Sequence, residues 1–366
     1  MENKIEKLAK KDLKNISPYI PGKPIKELQR ELGLKKIIKL ASNENPLGPS
    51  LKVIEAIKKN LIEIYRYPEG PAFYLRNELS KFLKISPENI ILGTGSLEVM
   101  DIFLQSFINP NEEIIIPKPS FIMYKIISYK IGAKPVEIPL EENFSYNLDK
   151  FLSKINKKTK VIILCNPNNP TGTIIYKKQL KKFLKEIPEN IFILADEAYC
   201  EYVENKEFGS LFPYFKKKNI LITRTFSKIY GLAGLRIGYG IAKEQIIKIM
   251  EKIKPPFNTT NLSQIAAIAA LKDKNYFKKS YRNNCIGKKY LYKELQQLGI
   301  VCIPTEANFI LCDFKKNTLP IIKKLEKNGI IIRNMESFGL PNNFVRISVG
   351  KKEENIELIN NLKKIL

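Results

Sequence analysis

The sequence predicts an α/β fold in which a mostly parallel central sheet is covered by helices. Short, fully apolar runs at 161–164, 191–195 and 220–222 have the composition of strands that are buried on both faces. Stretches with helical apolar spacing lie between such runs, and this alternation is typical of α/β domains. The chain has 366 residues, of which 44% are hydrophobic, and this is enough for a large core.

Two domains are expected. The large domain, about residues 41–255, holds the sheet, and the proline-containing segment 254–258 marks its end. The N-terminal arm, residues 1–40, and residues 256–366 form the rest, including a smaller α+β domain. In the second part we expect a buried helix at 262–271, strands at 308–314, 330–333 and 344–349, and helices at 317–328 and 352–365.

The first motif in chain order is Gly93–Glu98, which follows the apolar run 90–92 and precedes a helical stretch. Free backbone N–H groups and the helix dipole allow a helix N-terminus to bind phosphate. A lone Gly-x-Gly is weak evidence, but here it has the strand–turn–helix context that gives it meaning. The motif therefore predicts a phosphate site at this turn.

Two further motifs directly follow predicted strands. Residues 166–172 read Asn-Pro-Asn-Asn-Pro-Thr-Gly, which forces a turn, and Asn169 could offer its amide to a ligand there. Asp196 ends the run 191–195, at the strand end where open α/β sheets bind ligands. Each motif also has an ordinary explanation, because such turns are common and an aspartate at that position is often a helix N-cap.

Lys228 comes shortly after the run 220–222. A desolvated ammonium is costly to place, and enzymes use that placement to make lysine nucleophilic, most often to hold a carbonyl cofactor as a Schiff base. Thr225 and Ser227 precede the lysine and Arg236 follows it, and these groups suit an attached phosphate. Together they indicate pyridoxal 5'-phosphate. The alternative, in a chain rich in lysine, is a solvated residue at the strand end.

In this order the motifs resemble the fold-type I pyridoxal-phosphate aminotransferases over nearly the whole chain. The closer resemblance is to the histidinol-phosphate aminotransferase family, and two further pairs of stretches carry it: 17–24 with 39–49, and 332–334 with 344–350. The resemblance implies an enzyme of histidine biosynthesis. It would exchange an amino group between L-glutamate and imidazole-acetol phosphate by a ping-pong mechanism.

The resemblance also implies the catalytic roles at the cofactor ring. Lys228 would carry the cofactor and then act as general acid and base. Asp196 would keep the pyridine nitrogen protonated, so that the ring accepts electrons. Asn169 and Tyr199 would hydrogen-bond the phenolic oxygen. Phe121 matches the aromatic residue that stacks on the ring, although core packing is its ordinary alternative.

The cofactor phosphate would be held by a second group of residues. These are Ser227, Arg236, the backbone N–H groups of Ser96 and Leu97, and, as a weaker candidate, Thr225. Leu97 departs from the family pattern, because relatives often carry an aspartate there. The departure puts a side-chain role in doubt but leaves the backbone role intact.

Substrate and subunit contacts are implied in the same way. Arg346 lies in an apolar strand, where an arginine needs a partner, and by resemblance it binds the substrate carboxylate. Arg333 matches the arginine that takes the substrate phosphate, with Tyr19 helping, although a surface charge is the alternative. Asn43 would line the substrate site. Tyr67 matches a tyrosine that reaches the cofactor phosphate of a neighbouring subunit, which implies a homodimer with shared active sites.

Composition excludes several classes of site. The chain has no histidine, so His-based acid–base chemistry and His metal sites are excluded, and we expect no metal. The five cysteines show no metal-binding spacing and fit reduced thiols in the cytoplasm. The first fifteen residues lack the apolar core of a signal peptide, and no apolar run approaches the ~20 residues of a membrane span. We therefore expect a cytoplasmic protein without a membrane partner.

The net charge of +25 leaves one competing class open, a basic nucleic-acid-binding protein. The lysines are spread along the chain, and that class gives no role to Asp196, Asn169 and Lys228 together. A positive field would instead steer anionic substrates to the site. Within the fold, threonine-phosphate decarboxylase and aromatic aminotransferase are the alternatives, because they keep the cofactor residues and differ in the substrate pocket.

Overall fold

The computed structural model describes residues 8–10, 13, 14, 16, 18 and 22–366. Its α-helices are α1 Ile25–Leu32, α2 Leu51–Asn60, α3 Phe73–Leu83, α4 Ser96–Phe107, α5 Met123–Lys130, α6 Leu148–Ser153, α7 Lys177–Glu186, α8 Glu244–Glu251, α9 Asn261–Lys272, α10 Lys274–Gln297, α11 Leu319–Lys327 and α12 Lys352–Ile365. Its strands are β1 Ile38–Lys39, β2 Ile90–Gly93, β3 Glu113–Lys118, β4 Lys134–Pro139, β5 Thr159–Cys165, β6 Phe192–Asp196, β7 Ile220–Thr225, β8 Gly238–Ile241, β9 Val301–Cys302, β10 Phe309–Asp313, β11 Ile330–Ile331, β12 Arg333–Asn334 and β13 Phe344–Ser348.

A seven-stranded sheet in the order β2-β8-β7-β6-β5-β3-β4 forms the centre of the molecule. All of its pairs are parallel except those that β8 makes with β2 and β7. The predicted α/β class with a mostly parallel sheet is therefore confirmed. The carboxyl ends of β5, β6 and β7 lie side by side, with Cys165 opposite Asp196 and Asp196 opposite Thr223.

The central sheet is buried on both faces, as its continuous apolar strands predicted. Along β5, the side chains of Ile162 and Leu164 join the apolar core on one face, and those of Val161 and Ile163 join the core on the other. Helix α9 lies past residue 255, yet Ala266 and the alanines near it pack in the core of the large sheet. The proposed domain division at 255/256 stays a prediction.

A second, antiparallel sheet in the order β12-β13-β10-β9 has its own apolar core. The predicted segment 330–333 is divided here, because residues 330–331 pair in parallel with β1 of the N-terminal arm while residues 333–334 pair with β13. The arm is thereby joined to the small sheet. Arg346, on β13, lies directly opposite Arg333 on β12.

Candidate active site

The candidate site is a cavity of about 370 Å³ at the carboxyl ends of the central strands. The cavity is also lined by the N-terminal arm and by β12 and β13, so residues distant in sequence meet there. Of the residues that the sequence predicted for the site, it brings together Asn43, Ser96, Leu97, Phe121, Asn169, Asp196, Tyr199, Thr225, Ser227, Lys228, Arg236, Arg333 and Arg346.

Asp196 ends β6 with its carboxylate buried. Its Oδ2 accepts a hydrogen bond from the Tyr124 hydroxyl at 2.6 Å, and its Oδ1 accepts from the backbone N–H of Ala198 at 3.2 Å and the Thr223 hydroxyl at 3.5 Å. Burial raises the pKa of the carboxyl from 3.8 to about 6, although the bond from Tyr124 opposes the rise. The group is therefore largely ionised at neutral pH and faces the cavity without full solvation.

Lys228 follows β7 and faces Asp196 across the same cavity. Its Nζ lies 3.4 Å from the carbonyl oxygen of Ser42 and 5.5 Å from the centre of the Tyr199 ring. Burial and then the nearby charge of Arg346 lower the pKa of the amine from 10.5 to about 8. A lysine with that pKa has an appreciable neutral, nucleophilic fraction near neutral pH.

Arg346 is buried and reaches two acceptors. Its Nη1 donates to the side-chain oxygen of Asn169 at 2.6 Å, and its Nη2 donates to the carbonyl oxygen of Ala41 at 2.8 Å. Because the Asn169 oxygen accepts from Arg346, the amide N–H₂ of Asn169 is the group left to face a ligand. The contact joins the turn after β5 to β13 and to the N-terminal arm.

Asn43, in the segment that directly follows the N-terminal arm, joins that segment to the opposite side of the cavity. Its amide donates to the Tyr199 hydroxyl at 3.0 Å, and its side-chain oxygen accepts from the Ser348 hydroxyl at 2.9 Å. Asn43 has φ of 55°, a left-handed conformation that asparagine tolerates better than most residues. Burial raises the pKa of the Tyr199 hydroxyl above its usual range, so this group is a neutral donor.

One end of the cavity has the groups of a phosphate site. Helix α4 begins at Ser96, so its first backbone N–H groups are available to an anion. Arg236 lies across from them, with Nη1 3.4 Å from the Ser227 hydroxyl. Gly95 has φ of 79°, and a Cβ built there would lie 2.6 Å from Arg236 Nη2. A side chain at residue 95 would therefore be strained in that backbone conformation and would displace the Arg236 guanidinium, the flexible end of its side chain.

Arg333 and Arg346 occupy directly opposite positions of an antiparallel pair. Like charges placed opposite one another are destabilising, so the arrangement favours an anion between or beside them. Their environments differ, since Arg346 is 5% exposed whereas Arg333 is only partly buried. The two side chains therefore present one buried and one accessible guanidinium to the same cavity.

One predicted residue, Tyr67, is placed elsewhere in its own chain, and the structure does not describe another, Tyr19. Tyr67 is 82% exposed and stacks on Phe257 at 4.8 Å, outside the cavity of its own chain. Tyr19 lies outside the residues that the structure describes. Both proposed roles stay predictions.

Several residues at the site were not assigned a role from the sequence, and three of them have side chains that bear on its chemistry or packing. Glu44 and Phe338 line the cavity, and Tyr124 lies behind Asp196. Glu44 stands within a motif that the family resemblance includes. Tyr124 gave no such signal, because it follows the apolar residues 121–123 and has the pattern of ordinary core packing, and Phe338 lies in no motif that predicts a site.

The described residues offer neither a metal site nor a membrane span. They contain no group of three or more Cys, Asp or Glu side chains placed to hold a metal ion. Nor does any helix in the described part of the chain have the length and apolar character that crossing a membrane requires.

Comparison with known proteins agrees with this geometry. The family described as aminotransferase class I and II matches residues 35–362. Histidinol-phosphate aminotransferase from Caldicellulosiruptor saccharolyticus is 43% identical over 97% of this chain and 99% of that protein, and the one from Moorella thermoacetica is 41% identical over 96% and 91%.

A solved structure agrees as well. Histidinol-phosphate aminotransferase from Sinorhizobium meliloti, in complex with pyridoxal 5'-phosphate, superposes with a TM-score of 0.88 at 25% identity, covering 96% of both chains. The family match spans most of the chain, and the sequence relatives exceed 40% identity over nearly its full length. The chain therefore belongs to the class I and II aminotransferases, within the histidinol-phosphate aminotransferase family.

Proposed function

We propose that the protein is a pyridoxal-phosphate-dependent transaminase of histidine biosynthesis. It exchanges the amino group between L-histidinol phosphate or imidazole-acetol phosphate and L-glutamate or 2-oxoglutarate. The observation that carries this proposal is the meeting of Lys228, Asp196 and two arginines in one cavity. Lysine and aspartate suit the cofactor, and the arginines suit substrates that are anionic.

The residues present fit the cofactor at its phosphate end. Backbone N–H groups at the start of α4, the Arg236 guanidinium and the hydroxyls of Ser227 and Thr225 all face the cavity. These are neutral and cationic donors, as a phosphate dianion requires. Gly95 leaves the space that such a group needs, because any side chain there would meet Arg236.

The residues at the other end fit the cofactor ring. The buried Asp196 would hold a proton on the ring nitrogen, and the amide of Asn169 and the hydroxyl of Tyr199 would donate to the phenolic oxygen. Phe121 lines the same cavity and would pack on the ring face. When bound, pyridoxal phosphate supplies the electron sink that stabilises negative charge at the substrate α-carbon.

Lys228 is the group placed to move the proton. Because burial lowers the pKa of Nζ to about 8, this amine would be able to take a proton from the substrate α-carbon and give it back during the amino-group exchange. Tyr199 flanks it with a ring 5.5 Å away, and Ser42 accepts from it at 3.4 Å. These contacts help to position the amine in the cavity that Lys228 lines.

The two arginines divide the substrates between them. Arg346, which is buried and held by Asn169, would bind the α-carboxylate of glutamate bidentately. Arg333, which is more accessible, would bind the phosphate of histidinol phosphate or the distal carboxylate of glutamate. One cavity can thus accept both members of the ping-pong cycle, although histidinol phosphate has no carboxylate.

The competing functions are separated by one experiment. The purified protein would be given histidinol phosphate, threonine phosphate and phenylalanine as competing substrates, with 2-oxoglutarate as the amino acceptor. We expect glutamate to form fastest with histidinol phosphate and no carbon dioxide to be released. Carbon dioxide from threonine phosphate would instead support the decarboxylase, and preference for phenylalanine the aromatic aminotransferase.

A homodimer with shared active sites is part of the proposal. Large apolar side chains lie exposed from α2 to α3, including Ile62, Ile64 and Tyr65, and Tyr67 lies among them. An exposed apolar patch of this kind suits a subunit interface. Tyr67 would then reach the cofactor phosphate of the other subunit.

We also propose a cytoplasmic location, because all five cysteines are free thiols.

A further inference from the structure

The side chain of Tyr124 carries a buried hydroxyl whose partner is Asp196. Tyr124 lies in the first turn of α5 with no solvent exposure, in the apolar core on one face of the central sheet. Its hydroxyl lies 2.6 Å from Asp196 Oδ2, which is short for an O–H···O contact and typical of a bond to a charged acceptor. Phenylalanine would fill the same space without burying a polar group.

Tyr124 is the donor to Oδ2 of Asp196, whereas Oδ1 has two weaker donors. The backbone N–H of Ala198 and the hydroxyl of Thr223 both donate to Oδ1, at 3.2 and 3.5 Å. The contact to Oδ2 comes from Tyr124 and is the shortest of the three. Both carboxylate oxygens are thus held, and the plane of the carboxylate is fixed relative to the cavity.

The bond also affects where a shared proton resides. A hydrogen bond donated to a carboxylate stabilises its charged form and makes it a weaker base. When the carboxylate faces a protonated ring nitrogen, a weaker base leaves the proton on the nitrogen. The other groups that act on Asp196 are the Lys228 ammonium, which also favours the charged form, and burial, which opposes it.

We propose that Tyr124 is a positioning residue that orients Asp196 and keeps its carboxylate weakly basic, so that the proton stays on the cofactor ring nitrogen. The inference rests on the proposed function, because it requires pyridoxal phosphate in the cavity. Tyr124 touches neither the substrate nor the reacting atoms; it acts through Asp196.

The test compares two buried phenols that pack on opposite faces of the central sheet. Tyr124→Phe removes the hydroxyl that binds Asp196. Tyr146→Phe is the matched control, because Tyr146 is equally buried and its hydroxyl donates to the carbonyl oxygen of Cys165 at 2.8 Å instead. For each loaded protein we would measure the nitrogen NMR signal of isotopically labelled pyridoxal phosphate, and for each apoprotein its affinity for the cofactor.

In Tyr124→Phe we expect the ring nitrogen signal to move toward that of an unprotonated pyridine. We expect kcat to fall by about 10- to 100-fold in both half-reactions, the range for one hydrogen bond to a charged group. Cofactor affinity should fall by less than about tenfold, since the phosphate contacts remain. In Tyr146→Phe the ring nitrogen signal should not move. An unchanged signal in Tyr124→Phe, or equal losses in the two variants, would overturn the proposal.

A double-mutant cycle with Asp196→Asn tests whether Tyr124 acts on the cofactor through the Asp196 carboxylate. If Tyr124 acts through the carboxylate charge, Tyr124→Phe should change the ring nitrogen signal and cofactor affinity little in the Asp196→Asn background. A full effect there would contradict the inference.

If Tyr124→Phe folds poorly, fluorotyrosine at residue 124 provides a second variant, because the more acidic phenol should shift the ring nitrogen signal in the opposite direction. Failure of the wild-type protein to bind pyridoxal phosphate would refute the proposed function rather than this inference alone.

Discussion

Arg346→Ala should separate the two half-reactions of the enzyme. In glutamate turnover the variant loses the guanidinium that would bind the α-carboxylate, whereas histidinol phosphate has no carboxylate to lose. Truncating one partner of a buried charge pair costs about 2–4 kcal/mol, which is a factor of about 30 to 1000 in kcat/KM. The loss specific to glutamate should fall in that range.

A second loss should be common to both substrates. Arg346 donates to Asn169 at 2.6 Å and to the carbonyl oxygen of Ala41 at 2.8 Å. Its removal leaves two buried acceptors without these donors, at about 1–3 kcal/mol each, so the variant should unfold more easily. The released Asn169 should also bind the cofactor oxygen less well. Asn169→Ala serves as the control, because it should reproduce the common loss without the preference against glutamate.

The assay is single-turnover kinetics of each half-reaction, followed by the absorbance change of the cofactor. We expect glutamate to be affected at least tenfold more than histidinol phosphate. Arg333→Ala should show the reverse order, with a loss of about 2–4 kcal/mol for histidinol phosphate. If each variant loses activity equally with both substrates, the proposal that the two arginines bind different substrates is wrong.

Three further outcomes are expected. Burial raises the pKa of Asp196 from 3.8 to about 6, so its ionisation costs stability that is lost progressively between these two pH values and fully above the higher one. Asp196→Asn should therefore make the apoprotein about 1–3 kcal/mol more stable at pH 8 in denaturant unfolding, with the difference vanishing toward pH 4, while turnover falls by orders of magnitude. Gly95→Ala should weaken cofactor binding by more than about tenfold in fluorescence titration, because its Cβ would meet Arg236, and unchanged affinity would exclude the phosphate cradle. Tyr67→Ala and Lys228→Ala should each be inactive, yet subunits mixed after partial unfolding should recover about a quarter of wild-type activity if the sites are shared, and none otherwise.

The sequence was sufficient to predict that residues would meet in one cavity wherever a motif follows a buried strand. Asp196 and Lys228 follow the apolar strands β6 and β7, and parallel strands bring their carboxyl ends to one edge of a sheet. The turn carrying Asn169 was predicted on the same grounds. To predict that these residues meet, it was enough to identify the strands and their parallel direction, and neither requires the exact pairing register between strands.

Register and side-chain partners were not predictable in the same way. That Arg333 lies directly opposite Arg346 depends on how β12 pairs with β13, and no local pattern specifies that pairing. The segment 330–333 was expected as one strand, yet residues 330–331 pair with the N-terminal arm instead of with β13. Tyr124 was missed because a tyrosine among apolar helix residues has the pattern of core packing, and its bond to Asp196 joins residues far apart in the chain.

Lys228 would hold the cofactor as a Schiff base, and one measurement tests this role most directly. The purified protein, loaded with pyridoxal phosphate, would be reduced with borohydride, digested and mapped by mass spectrometry, with Lys228→Ala as the control. We expect the reduced cofactor on the peptide that contains Lys228, and no labelled peptide from the folded Lys228→Ala variant. A label on another lysine, or a wild-type protein that takes up no label, would contradict the account.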